Sequence, residues 1–145
     1  MRRLALAAVL LALTAAPPPA LAEEAKTKGG QYVDLAPVAL PVVVNGRIVN
    51  YVFVSVRVNL TGGANAPKLQ AKEPYFRDAL VRAGHRTPFT RNDNYTLLDD
   101  AKLKASMYSA AVAIAGASNV ASVTILSETA KSHSGLPKPK PPAGR

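Results

Sequence analysis

Few residues of this chain have the types and the spacing that catalysis requires. His85 and Asp93 flank one polar loop, and a histidine and a carboxylate beside a serine or threonine would suit the acid–base chemistry of a small hydrolase. His85 also follows a predicted helix end among several arginines, where a solvated or helix-capping cation is the simpler interpretation. The sequence therefore favours a protein that is not an enzyme, and we expect no catalytic residue.

Metal and cofactor sites are not predicted either. The chain has no cysteine, and His133 falls in a Pro-rich terminal segment. Asp99 and Asp100 are typical of a helix start rather than of ligands for a hard cation. Gly62-Gly63 lacks the lysine and the spacing of a phosphate-binding loop and predicts a turn. We expect no metal and no cofactor.

The charge balance indicates a basic surface. Eighteen Lys and Arg against nine Asp and Glu give a formal net charge of +9. Four arginines fall around one predicted helix end and the loop after it: Arg77, Arg82, Arg86 and Arg91. Such a surface could contact an acidic protein or an anionic membrane surface. Nucleic acid is not an expected partner, because the chain is predicted to be exported and its aromatic residues do not line up with its cations.

The first residues have the pattern of a secretory signal peptide. Arg2 and Arg3 precede the apolar run 4–14, and Ala20-Leu-Ala22 has the small-x-small pattern that signal peptidase recognises. The apolar run is shorter than the roughly 20 residues that a membrane-spanning helix needs. We expect cleavage after Ala22 and a periplasmic protein; the alternative is a chain anchored in the inner membrane that faces the periplasm.

Composition then divides the rest of the chain. Residues 23–30 are a charged lead that we expect to be flexible, and residues 31–130 are expected to form one folded domain. Residues 131–145 form a tail rich in proline and lysine, which we expect to be disordered because spaced prolines keep a chain extended.

Strict alternation of apolar and polar residues predicts a long strand over residues 48–60, with Val52, Val54 and Val56 on one face. Before it, residues 38–44 are rich in valine and end at Asn45-Gly46, a common hairpin turn. Two antiparallel neighbours are therefore expected. Prolines at positions 37 and 41 cannot donate ladder hydrogen bonds, so the first strand should lie at a sheet edge or be broken there.

Two registers fit this hairpin. A two-residue turn at Asn45-Gly46 pairs Val43 with Ile48 but places apolar residues of the second strand beside prolines. A three-residue loop, residues 44–46, pairs Val42 with Ile48 and sets the apolar residues of the two strands side by side. The hydrophobic pattern favours the three-residue loop.

After the hairpin, apolar residues recur at helical spacing in two segments. The first predicted helix has apolar residues at Leu69, Phe76, Leu80 and Ala83. It begins near Glu73 or is kinked at Pro74, and Gly84 ends it. A second helix, capped by Asp99 or Asp100 and ended by Gly116, has an apolar stripe at Leu103, Met107, Ala110 and Ile114.

Residues 120–126 predict a final strand. The order strand, strand, helix, helix, strand predicts an α+β fold, a small antiparallel sheet with two helices packed on one face.

The opposite face of the predicted hairpin has more apolar residues than a solvated face needs. Val49, Tyr51 and Phe53 lie opposite the stripe of valines. The N-terminal segment or the last helix could cover them within the chain. Otherwise they are candidates for a protein contact, with a second copy or with a larger envelope assembly.

Four segments together resemble the periplasmic domain of the FliL family of flagellar basal-body-associated proteins: residues 32–60, 74–81 (Pro-Tyr-Phe-Arg-Asp-Ala-Leu-Val), 98–103 and 120–126. The resemblance covers residues 32–128. It implies a non-enzymatic domain, similar in fold to stomatin-type modules, that assembles beside the stator units of the flagellar motor and supports motility.

Two features differ from the family pattern. FliL-like proteins are usually held in the inner membrane by an N-terminal spanning helix, whereas this chain is predicted to be released by signal peptidase. The loop 87–95 is also longer and more polar than the usual connection. The alternative function is therefore a periplasmic protein of the same fold that serves a different envelope assembly.

Overall fold

The computed structural model describes residues 30–131. The predicted signal peptide, nearly all of the predicted lead and all of the predicted tail but Lys131 lie outside these residues. The described elements are β1 (Tyr32–Asp34), β2 (Val38–Val44), β3 (Arg47–Leu60), α1 (Ala66–Gln70), α2 (Glu73–Arg86), α3 (Asp100–Ala115), a 3₁₀ turn (Ala117–Asn119) and β4 (Val120–Ala130).

The sheet is built around β3, which pairs antiparallel with all three other strands. One edge of β3 pairs with β4, and the other edge pairs first with β2 and then with β1. We call the face that carries the buried even-numbered residues of β3 the inner face; α2 and α3 pack against it. The other face is the outer face. The predicted α+β fold with helices on one face of a small antiparallel sheet is confirmed.

The turn of the β2–β3 hairpin is the two-residue one. Asn45 and Gly46 have φ values of 50° and 74°, as both central positions of a type I′ turn require. Val43 pairs with Ile48, so the favoured three-residue loop is wrong. A register shift then leaves Val49 without a partner in β2, and Val42 pairs with Asn50. This β-bulge brings the apolar residues of β2 and β3 onto one face, which the two-residue turn alone could not do.

As predicted, β2 lies at a sheet edge: within the described residues it pairs only with β3. The chain leaves the ladder at residues 35–37, which separates β2 from the short strand β1. β1 is too short to be predicted from the alternation of residue types. At the other edge, β4 continues four residues past its predicted end at Leu126, because Ser127 to Ala130 still pair with β3.

The predicted first helix is two helices. Asn65 caps the short α1 by accepting the N–H of Lys68 at 3.0 Å, and α2 begins at Glu73 with Pro74 in its first turn, where no N–H is needed. Gly84 does not end α2, which continues to Arg86. Its role is close packing instead: a Cβ at Gly84 would stand 2.8 Å from Cδ2 of Leu40.

The second predicted helix is α3. Asp99 caps it, since its side chain accepts the N–H of Lys102 at 3.1 Å. Gly116 ends it with a φ of 93°, a conformation that favours glycine. Of the predicted stripe, Leu103 and Met107 are buried, while Ala110 and Ile114 are half-buried.

One hydrophobic core lies between the sheet and the helices. Its largest fully buried side chains are Phe76, Leu40, Leu80, Leu98, Leu103, Met107, Val33, Val42, Val52, Val54, Val56 and Val58. Each such side chain stabilises the fold by roughly 1.5–3 kcal/mol relative to exposure. Among residues 30–131, no helix is long and apolar enough to cross a membrane.

Candidate protein-binding face

The outer face of the sheet is the part of the predicted site that the structure assembles. Tyr51 and Phe53 are both on this face because they are two positions apart on β3, and Phe53 is 45 % exposed. Their neighbours in the register of β2 are Pro41, which is buried, and Ala39, which is half-buried. We call these four residues the aromatic patch. The last predicted helix, α3, packs on the inner face and therefore does not cover it.

Val49 does not belong to this patch. The bulge gives it no partner in β2, and its half-buried side chain packs against the core. The prediction that Val49 lies on the outer face with Tyr51 and Phe53 assumed unbroken alternation and is wrong. A bulge of one residue changes which face a side chain occupies, and the sequence pattern did not indicate it.

The other half of the outer face is polar, and its groups bind one another. Arg57 donates to both carboxylate oxygens of Asp34 at 2.6 and 2.8 Å, and its guanidinium stands 3.8 Å from the centre of the Tyr32 ring. Asn59 Nδ2 contacts the hydroxyl oxygens of Ser122 and Thr124, both at 2.9 Å. The outer face thus consists of the aromatic patch beside a polar half whose charges are already paired.

A buried asparagine supports the strand at the aromatic patch. Asn50 is 2 % exposed; its Nδ2 donates to the carbonyl of Tyr95 at 3.0 Å, and its Oδ1 accepts the N–H of Tyr51 at 2.8 Å. Asn50 therefore ties the loop between α2 and α3 to the bulge and holds the backbone of Tyr51. The signal for Asn50 in the sequence is a single amide within a stripe of valines, and it was missed because one polar residue does not interrupt the strand pattern.

The four arginines do not form one surface. Arg82 pairs with Asp78 at 2.6 Å, and Arg91 pairs with Asp93 at 2.6 Å. Arg77 is nine residues before Arg86 on α2, which places them on opposite sides of the helix. The predicted cluster is therefore divided, and two of its charges are paired.

Arg82 and Arg86 line a groove of about 310 Å³ between α2 and α3, which is also lined by small residues such as Ala83 and Ala110. Arg91 lines a separate pocket of about 510 Å³ at the start of α3. These arginines are close along the chain, but a helix and a loop do not keep them close in space.

The pocket at the start of α3 contains paired charges. Arg91 hydrogen-bonds the side chain of Asp93 and thereby holds the pKa of Asp93 below its usual range. The N–H of Lys102 does the same for Asp99, whose side chain also pairs with the Lys102 ammonium at 3.1 Å. The pocket therefore offers a bound anion or cation little unpaired charge.

The proposed acid–base pair is not assembled by a hydrogen bond. His85 Nδ1 lies 2.9 Å from the carbonyl of Val81, one turn earlier in α2, and Asp93 is held by Arg91. Across residues 30–131 no three histidine, aspartate or glutamate side chains are grouped as a metal ion would require.

One buried carboxylate, Glu128, lies beyond the predicted end of the last strand at Leu126 and was missed for that reason. Glu128 of β4 faces the inner side and pairs in register with Val54. Its Oε1 is buried without a hydrogen-bond partner. Burial raises the pKa of Glu128, and the nearby charge of Asp100 raises it further. The side chain lies close to Arg91 and Lys104 as well.

No protein-family model matches this chain, and no curated protein matches it significantly. The resemblance to the FliL family therefore rests on the four sequence segments quoted above.

Proposed function

We propose that this protein is an exported, non-enzymatic interaction module of FliL-like type that binds a protein of the cell envelope and supports flagellar motility. The observation that carries the binding role is the aromatic patch: Phe53 is 45 % exposed on a sheet face that α2 and α3 leave uncovered. The flagellar role is supported by the resemblance of residues 32–128 to the FliL family.

The chemistry of the outer face supports a protein partner. Aromatic side chains contribute much of the energy of protein interfaces, because they bury a large rigid surface at a small cost in side-chain entropy. The paired groups beside the patch, Asp34 with Arg57 and Asn59 with two hydroxyls, suit the polar rim of such an interface. A partner with an apolar surface could bury Tyr51 and Phe53 without leaving these polar groups unsatisfied.

An anionic membrane surface is a weaker candidate partner. Arg82 and Arg91 already have carboxylate partners, and the four arginines are divided among different sides of the domain. A headgroup layer binds clusters of unpaired cations most strongly. We therefore place the main contact at the aromatic patch.

The flagellar role is tested by deletion of the gene in the native host. We expect reduced swimming in soft agar while electron microscopy still shows assembled filaments, because a motor-associated protein acts after the filament is built. Complementation by the mature domain fused to a membrane anchor would show that release from the membrane is not essential. Normal swimming of the deletion strain would contradict the flagellar role and favour another envelope assembly.

A further inference from the structure

We propose that the aromatic patch is a binding surface for a proline-rich peptide, and that the chain's own residues 136–142, Leu-Pro-Lys-Pro-Lys-Pro-Pro, occupy it. We call these residues the proline segment; they lie outside the described part of the chain. The contact goes beyond the proposed function, because it forms within one chain and needs no envelope partner. Only its consequence rests on the proposed function: a partner of the patch must displace the proline segment, which lowers that partner's apparent affinity.

The first observation is the place where the chain leaves the folded domain. β4 runs antiparallel to β3 and places Thr129 opposite Phe53. Lys131 continues the ladder, since its N–H donates to the carbonyl of Tyr51 at 2.8 Å. The chain therefore leaves the sheet beside the aromatic patch, and the residues that follow are held there at a high effective concentration.

The second observation is the accessibility of the two rings. Phe53 is 45 % exposed and Tyr51 is half-buried. On the neighbouring strands Phe53 lies between Thr129 and Ala39, whose side chains are small. The rings are therefore open to an extended peptide. Surfaces lined by aromatic side chains are what proline-rich peptides bind in several recognition domains.

The third observation is the order of prolines and lysines in the proline segment. A polyproline II helix has three residues per turn, so residues three apart form one ridge. Leu136, Pro139 and Pro142 form a ridge without charge, whereas Lys138 and Lys140 fall on the other two ridges. One side of the segment can therefore contact the rings while both lysines stay in water. Its prolines favour this extended form before binding, so little chain entropy is lost on binding.

The length of the connection fits the contact. The chain leaves β4 past Tyr51, so it must reverse within residues 132–135, Ser-His-Ser-Gly, to return to the rings. Four residues are enough for a β-turn, and serine and glycine favour one. At roughly 3.1 Å per residue the proline segment then spans about 19 Å. This is close to the distance along β3 from Tyr51 to Arg57, at roughly 3.3 Å per residue.

The polar groups of the outer face suit the far end of the proline segment. Beyond Phe53, Ser55 of β3 lies opposite Ser127 of β4, and their hydroxyls can donate to carbonyls of the segment. The carboxylate of Asp34 is bound by Arg57 and does not attract the lysines. The contact is therefore apolar, and added salt should not weaken it.

The contact is tested by paramagnetic broadening of NMR signals in the full chain, processed as its host processes it. Because the chain has no cysteine, Ala143→Cys provides a single thiol for a nitroxide label directly after the proline segment. If the segment lies along the outer face, the label comes close to the polar half, and the amide signal of Arg57 should be broadened more than that of Tyr51. A segment that moves freely from Lys131 would show no such preference, which would overturn the proposal.

Two substitutions in the labelled chain test the ridge. Pro139→Ser changes the ridge and should remove most of the broadening at Arg57. Pro141→Ser is the matched control, because it also removes one proline but from a different ridge, and the broadening should remain. Equal broadening in both variants, whether kept or lost, would overturn the proposal, and so would a loss of broadening in high salt.

A mixed sample tests whether the contact forms within one chain. It combines isotope-labelled chain without nitroxide and nitroxide-labelled chain without the isotope. We expect no broadening in this mixture; broadening at Arg57 would show that the proline segment binds a second copy and would overturn the proposal. These measurements involve neither an envelope partner nor motility. Failure of this proposal is therefore distinguishable from failure of the proposed function, which the deletion strain reports.

Discussion

Replacement of Asn50 by alanine should destabilise the domain far more than replacement of Asn59, although each asparagine makes two hydrogen bonds on the same strand. Asn50 is buried and binds the carbonyl of Tyr95 and the N–H of Tyr51. Its loss removes two bonds worth about 1 kcal/mol each and leaves the Tyr95 carbonyl without this donor, at about 1–3 kcal/mol when buried. We expect a total cost of about 3–5 kcal/mol, equivalent to a fall in Tm on the order of 10–40 °C.

Asn59 is the matched control. It contacts two hydroxyls on the outer face, where water can replace it, so Asn59→Ala should cost less than about 1 kcal/mol. Urea unfolding monitored by circular dichroism gives both values. Equal losses in Asn50→Ala and Asn59→Ala would refute the argument that Asn50 joins the loop to the bulge.

The charged analogue separates the two bonds of Asn50. Asn50→Asp keeps an acceptor for the N–H of Tyr51 but replaces the donor to the Tyr95 carbonyl with an oxygen. We expect it to be at least as destabilising as Asn50→Ala at pH 7. Part of the loss should be recovered below about pH 4, where a protonated carboxyl can donate again.

Three further changes have defined outcomes. Gly84→Ala should lower the free energy of unfolding in urea by about 1 kcal/mol. Overpacking against Leu40 costs about 1–3 kcal/mol, and the better helix propensity of alanine offsets about 1 kcal/mol of it. A net gain in stability would show that Leu40 moves freely. Gly46→Ala should cost about 1 kcal/mol, since Gly46 has a φ of 74°; an unchanged Tm would contradict the type I′ turn. Glu128→Gln should stabilise the domain at pH 7 and make no difference at pH 3. Because the pKa of Glu128 is raised, the folded state binds its proton more tightly than the unfolded state does. Ionisation of Glu128 therefore lowers the stability of the domain as the pH rises above about 4.3. A constant difference across pH would contradict the burial of Glu128.

The elements of the fold were largely predictable because their patterns are local. The alternation in residues 48–60, the Asn45-Gly46 turn, the start of α2 at Glu73 and the ends of α3 all follow from residue types within a few positions. The fold class could be derived from the order of these elements.

What the sequence did not indicate depends on contacts between distant residues. The bulge at Val49 becomes favourable only when β2 aligns its valines with those of β3, and the close packing that requires a glycine at position 84 of α2 is made with Leu40 of β2. Glu128 was missed because residues 127–130 are mostly polar. Only their pairing with β3 shows that they belong to the last strand. The arginine cluster was wrongly grouped because proximity along the chain does not fix the side of a helix.

The central claim, that the aromatic patch binds the protein partner through which this chain supports motility, is tested most directly by one substitution in the native host. Phe53→Asp should fold and accumulate normally, because the side chain is 45 % exposed, and should reduce swimming in soft agar as much as deletion of the gene. Thr124→Asp is the control, since Thr124 is exposed on the polar half of the same face. Loss of swimming in Phe53→Asp with normal swimming in Thr124→Asp is the result that we predict. Normal swimming in a Phe53→Asp strain, beside a deletion strain that does not swim, would contradict the claim.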